Sequence, residues 1–390
     1  MLSGMPPAPA LHGAAILQQP SRVSVAPRLL FIDVARALAI LGALTAHAVA
    51  VFSVWPSVPP NTIKALANAL FFTCTPTFFL LFGVMLEVVY VSRCERDGAA
   101  SVSRRLALRA VQCAAGLALG MVCAWLSGRI LTAQLGAALL GMIDTPNSGI
   151  LRFYAIAMLL SIPVVLLRPR LGPWLPVALI TVIWLVAAAL PWLPWPDATS
   201  RWAFLTGFLF AHPPLWPGGS VWHNLSVVFL GMVLGYQLRQ RLARGLTPFG
   251  GPVVVVVALA GLVGVALCIG HMGFSEVAHG YCSTGRQLRS AAHPAYFLIS
   301  TLCAMVLIAL AQQVYPSATT REQVRLPFVA LGRHSLLTFA LGNALLNLYP
   351  PKMPTRLWAG VAATVLFLVA ICALAQWSDD RSARRRAVPA

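Results

Sequence analysis

An apolar run of about twenty residues recurs ten times along this chain, and that recurrence constrains the fold more than any other feature. A hydrocarbon layer roughly 30 Å thick is crossed by about 20 helical residues. Inside it, a segment of this length satisfies its own backbone polar groups only as an α-helix. The runs fall at about 29–53, 66–91, 104–127, 149–167, 174–192, 222–238, 252–272, 293–315, 327–348 and 356–377. They predict an all-α, polytopic membrane helix bundle with about ten transmembrane helices, filling residues 28–377. Composition agrees, with 59% hydrophobic residues, 10% charged residues and a mean hydropathy of +0.80, which lies outside the range of soluble domains.

The formal net charge is +18. In a soluble protein that excess would suggest nucleic acid, but here the cations gather in short loops between apolar runs. That is the distribution of a cytoplasmic membrane face, and no nucleic-acid partner is expected. With the N-terminus in the cytoplasm, eighteen of the 28 lysines and arginines fall inside and seven outside. The bias predicts that both termini are cytoplasmic, in a multi-pass protein of the inner cell membrane. Residues 1–27 are rich in Pro and Ala and lack a basic start or a long apolar stretch, so they read as a disordered cytoplasmic tail. Residues 378–390 read as a basic cytoplasmic tail suited to anionic lipid.

Two predicted outer loops are long for a bundle, 128–148 and 193–221. Trp192, Trp195, Trp202, Trp216 and Trp222 fit an aromatic belt at the membrane interface. The alternative is a loop folded back over a polar entrance. Eight cysteines are scattered singly without a CxxC pair and read as small buried apolar residues. His271, Glu276, His279 and Cys282, with His293 beyond, are metal-ligand types, but their spacing fits no standard site and no metal is expected.

With those eighteen and seven assigned to the two faces, Arg36, Arg152 and Arg333 are the cations left over within the spans. Arg36 and His47 stand eleven residues apart in IDVARALAILGALTAHAVAVF, about three helical turns, so both leave one face of the helix roughly 16 Å apart. Asp33 lies one turn before Arg36 on the same stripe and is expected to orient it. Ionisable groups lined up along a membrane helix are costly and mark a functional path. Arg333 lies near the inner end of the ninth run beside His334, and Arg152 near the outer end of the fourth run with Tyr154. Glu87 lies near the inner end of the second run, as a substrate contact or as the partner of Arg93. Bland readings compete with each of these: a snorkelling anchor for Arg36, a packing hydrogen bond for His47.

At these positions the sequence resembles the acyltransferase-3 superfamily of ten-span membrane acyltransferases. The resemblance is carried by Asp33, Arg36 and His47 as D-x-x-R-x(10)-H, by FFTCTPTFFLLFGVMLE in the second run, similar to an FFxxSG stretch, and by LGRHSLLTFALGN. The last segment is similar to the branch that includes the osmoregulated periplasmic glucan O-succinyltransferases. Two positions depart from the pattern: Phe82 replaces the Ser before Gly83, and Gly342 and Asn343 stand where many members carry a late His.

The resemblance implies O-acyl transfer from cytoplasmic acyl-coenzyme A, with acetyl or succinyl as the group, to a hydroxyl of a carbohydrate or glycolipid at the outer face. Arg36 and Arg333 would then hold donor phosphates, and His47 would be the general base. Arg152, Tyr154 and Glu87 are the weaker substrate-binding candidates, and the outer-side His212, His223 and His279 are reserve bases. No Ser or Cys lies well placed on the His47 stripe, so direct transfer is favoured over an acyl-enzyme. The competing reading is a transporter or flippase of a glycolipid or organic anion that uses Arg36 and His47 as substrate or proton ligands.

Overall fold

The computed structural model describes the chain from Leu29 to Ala387, apart from residues 141, 144–146, 148, 194–199, 201, 211–219, 283–286, 316–326 and 351–355. Among the described residues there is no strand, and nine helices are long and apolar enough to cross a membrane. The protein is a multi-pass membrane helix bundle. Its helices are α1 (Leu30–Val51), α2 (Thr62–Met85), α3 (Ala99–Leu126), α4 (Gly149–Leu171), α5 (Leu175–Ala189), α6 (Val221–Ala243), α7 (Pro252–Met272), α8 (Pro294–Val314), α9 (Pro327–Arg333), α10 (Ser335–Leu348) and α11 (Leu357–Ala387).

Their starts carry expected chemistry. The Asn61 side chain accepts from the Lys64 amide at the head of α2, and Ser220 accepts from the His223 amide at the head of α6. Proline occupies the first turn of α5, α7 and α8, where its missing N–H costs nothing. Past Met85 the second helix continues through a π-helical turn, Leu86–Val91, and a short α segment to Asp97, where Gly98 reverses the chain at φ +81°.

α1 lies at the centre, packed against α2, α8, α9, α10 and α11. α2 and α6 approach until their backbones nearly touch: a Cβ on Gly83 would lie 1.8 Å from the Val228 carbonyl oxygen, and one on Gly231 would lie 2.1 Å from that of Leu80. Small residues give membrane helices the close packing that water would otherwise drive. α7 buries little of its very apolar surface and is largely lipid-facing, as are much of α5 and α11.

The ninth run differs from expectation. It is two helices, α9 and α10, broken at His334 (φ −104°, ψ 31°). Arg333 donates to the Asp379 carboxylate on α11 at 2.7 Å, and His334 Nε2 lies 3.3 Å from its other oxygen, so one acid gathers both residues at the break. A Cβ on Gly332 would sit 1.8 Å from the Asp33 carbonyl oxygen, so α9 lies directly on α1. These contacts place the start of α1 and the end of α11 on one face of the bundle, termed here the terminal face; the opposite face is the loop face. The last helix runs to Ala387, so residues 378–387 continue α11. The long loops contain helices as well, Thr132–Leu139 and Ala203–Phe210. Trp192 and Trp202 are exposed and Trp222 is half-buried, while Trp195 and Trp216 lie outside the described residues, as does the tail 1–27.

Candidate functional site

α1 carries Arg36 toward the terminal face and His47 eleven residues on, both half-buried. α10 faces His47. Asn343, buried on that helix, meets His47 Nδ1 through its side-chain oxygen at 2.7 Å, and its amide nitrogen donates to the Phe339 carbonyl at 3.0 Å. Phe339 stacks obliquely on the imidazole at 6.2 Å between centroids and meets Phe78 of α2 edge-on at 5.8 Å. The Phe78 carbonyl accepts from the Tyr154 hydroxyl of α4 at 2.8 Å, and Phe82 meets the same tyrosine ring at 5.2 Å.

Arg36 lies close enough to the Tyr154 phenol for its charge to act there. Among the described residues, Arg36 makes no hydrogen bond and no ion pair. The site therefore runs along α1 as a cation, a belt of aromatic rings, and then a histidine held by an amide. α1, α2, α4 and α10 each contribute.

The structure links three expected residues, Arg36, Tyr154 and His47, through Phe78 and Phe339, and engages the others elsewhere. Asp33 is buried at the contact with α9 and forms no hydrogen bond or ion pair with Arg36, so the expected orientation of Arg36 by Asp33 is corrected. The cause is the seat of Gly332 on the Asp33 backbone, which commits that part of the helix to α9.

Glu87, in the π-helical turn, pairs with Arg168 of α4 and not with Arg93. Arg168 also lies over the Tyr236 ring at 5.0 Å. Arg333 is held by Asp379, as described. Arg152 is buried, donates to the Ile143 carbonyl at 3.0 Å, and stands 5.3 and 5.2 Å from the ring centres of Phe204 and Phe208 on the loop-face helix. That helix packs its Phe204 and Phe208 rings over Arg152.

Asn343, Arg168 and Asp379 are the partners that sequence reasoning did not name. Asn343 left a signal, since it and Asn347 are amides one turn apart in an apolar helix. Asn347 is spent on structure: it donates to the Gly120 carbonyl at 3.1 Å, and its side-chain oxygen accepts from Asn147 at 3.2 Å.

Of the reserve bases, His223 is buried with Nδ1 2.6 Å from Ser220 Oγ, in a box with Trp184 and Phe297; His279 lies in the loop-face helix Phe274–Cys282; His212 lies outside the described residues. Among the described residues no three His, Cys, Asp or Glu side chains converge as a metal-ligand set. Comparison with protein-family models, with curated proteins and with solved structures gives no match to this chain.

Proposed function

We propose that the protein is a membrane O-acyltransferase that moves an acetyl or succinyl group from cytoplasmic acyl-coenzyme A to a hydroxyl of a carbohydrate or glycolipid at the outer face of the inner membrane. The observation that carries this reading is Arg36, a cation half-buried in a membrane helix and bound to no described acid or carbonyl. A guanidinium kept at such cost suits an anion brought in from solution, and the phosphates of coenzyme A are such an anion. The aromatic belt of Phe78, Phe339 and Tyr154 suits the thin pantetheine arm, which spans the distance toward His47.

In this reading His47 Nε2 takes the proton from the acceptor hydroxyl while that oxygen attacks the thioester carbonyl carbon. The tetrahedral intermediate collapses, the C–S bond breaks, and the departing thiolate takes the proton back from His47. A proton and an acyl group are exchanged, and nothing is oxidised. The acyltransferase-3 resemblance supports the same assignment.

The second reading, a transporter or flippase for a glycolipid or organic anion, draws on the break at His334, since interrupted helices line substrate sites in transporters. Purified protein in detergent decides between them. An acyltransferase binds acyl-coenzyme A and hydrolyses it slowly when no acceptor is present; its His47→Gln variant binds but does not hydrolyse. Absence of both binding and hydrolysis in folded protein would leave the transporter reading.

A further inference from the structure

We propose that Asn343 is the positioning residue of His47, fixing which ring nitrogen carries the proton; the inference rests on the reading of His47 as general base. A side-chain amide has one accepting oxygen and one donating nitrogen. The nitrogen of Asn343 is committed to the Phe339 carbonyl of its own helix at 3.0 Å, so the oxygen faces α1. That oxygen can only accept, so across the 2.7 Å contact His47 Nδ1 must carry the hydrogen.

The lone pair of the neutral imidazole is thereby assigned to Nε2, the nitrogen that has to receive a proton. Loss of this bond removes its bias between the two tautomers, of which only one leaves Nε2 as the base. The bond is well sheltered, since Asn343 is buried and the imidazole is backed by Phe339. Its place in the fold is also fixed. A Cβ on Gly342 would lie 2.9 Å from Leu44, so α10 sits tightly on α1 beside His47. Asn343 touches neither donor nor acceptor in this scheme and acts only through the imidazole.

The choice of an amide has a further consequence. A carboxylate at this place would stabilise the imidazolium by charge, whereas an amide orients without adding charge. The residue therefore sets direction and tautomer and leaves the histidine free to give its proton up to the leaving thiolate.

The test is 15N NMR of histidine-labelled full-length protein in detergent, with His47 assigned by its loss in the His47→Gln variant. The expected result is an unprotonated, pyridine-type resonance on Nε2 of His47 in the unmodified protein, weakened to a tautomer mixture in Asn343→Leu; in Asn343→Asp Nδ1 keeps its hydrogen and Nε2 loses its own only at a higher pH than in the unmodified protein. In acyl transfer, Asn343→Leu should lower kcat roughly ten- to a hundredfold, within the range for loss of a general base, with KM for acyl-coenzyme A nearly unchanged. A pyridine-type resonance on Nδ1 in the unmodified protein overturns the inference, and needs no variant to fold. An Asn343→Leu protein with unchanged tautomer and kcat overturns it as well. Failure of the underlying reading looks different, since His47→Gln would then keep full transfer whatever the spectra show.

Discussion

Glu87 and Arg168 face each other through two hydrogen bonds of 3.0 and 2.9 Å, with both side chains buried, so the π-helical turn after α2 is tied to the end of α4 by a bidentate ion pair. The extra residue of the π turn rotates Glu87 out of the regular helical stripe. Across the helix pair, a Cβ on Gly235 of α6 would lie 3.0 Å from Glu87 Cβ, so α6 packs tightly beside the acid. The pair anchors three helices at one depth, below the aromatic belt that separates Arg36 from His47.

Removing one partner should cost more than removing both. Glu87→Gln or Arg168→Met leaves an uncompensated buried polar or charged group, and breaking a buried pair typically costs about 3–5 kcal/mol. The double variant Glu87→Leu with Arg168→Met removes both charges and should be the more stable protein. Thermal unfolding in one detergent, ranked across the three variants, checks the order; singles as stable as the double would show that the pair carries little.

Gly332→Ala should disturb the bundle although it adds a single methyl group. The new Cβ would meet the Asp33 carbonyl at 1.8 Å, and backbone on a packed helix cannot move aside cheaply. Overpacking of this kind typically costs about 1–3 kcal/mol. Gly136→Ala is the control, since nothing lies within 4 Å of its Cβ. A lower unfolding temperature for the first variant only is the expected outcome.

These relationships divide into those a sequence displays and those it hides. Spans are a local property of length and hydropathy, so nine of them are legible directly in the runs, and the stripe from Arg36 to His47 follows from helix geometry alone. Partners are not local. Glu87 has Arg93 nearby in sequence but finds Arg168 81 residues away, because the π turn and the packing of α4 decide which way the acid points. Asp33 and Arg36 are spaced as a helical ion pair, yet the approach of Gly332 claims the Asp33 region for another helix. The acid that meets His334 at the helix break, Asp379, lies 45 residues on, and the amide that holds His47 comes from 296 residues away. A single Asn in an apolar run signals a buried hydrogen bond without naming its partner.

Stability should fall as the pH is lowered through the range of His293. This histidine caps α8, its Nδ1 accepting from the Ala295 amide at 3.2 Å. Burial, and then the charge of His271, hold its pKa below the ordinary value. The folded state therefore binds fewer protons than the unfolded chain between the two values. The cap's contribution is complete above the unfolded pKa of about 6.5 and is lost as pH falls through the folded value. Unfolding temperatures at about pH 8 and about pH 5 measure the slope, which His293→Asn, a cap that does not titrate, should flatten.

Both termini should report the cytoplasm. Ten crossings, counting α9 and α10 together as one, return the chain to its starting face, and the contact of Arg333 with Asp379 already places the last helix beside the first-run end of the bundle. The positive-inside bias assigns that face to the cytoplasm. A reporter fused to the C-terminus should be active only if cytoplasmic, and one in the 193–221 loop only if external. A periplasmic signal from the C-terminal fusion would reverse the sidedness of donor and acceptor together.

Arg36 should bind the donor through the shape of its side chain as well as its charge. A guanidinium presents a planar fork to phosphate oxygens, whereas an ammonium on the same helix offers a point charge. Arg36→Lys therefore keeps the electrostatic attraction and loses the paired geometry. Loss of a charge-assisted contact typically costs about 1.5–3 kcal/mol, or roughly ten- to a hundredfold in affinity. Arg36→Ala should bind acyl-coenzyme A more weakly still. Asp33→Asn separates this role from the local ion pair that the helix spacing suggests: no bond joins Asp33 to Arg36, so donor affinity should stay close to that of the unmodified protein even if stability falls. Equilibrium binding of acyl-coenzyme A to the purified, folded variants measures all three. Unchanged affinity in Arg36→Ala would make Arg36 a snorkelling anchor, and the donor site would then have to be sought at Arg333, where a phosphate would compete with Asp379 for the same guanidinium.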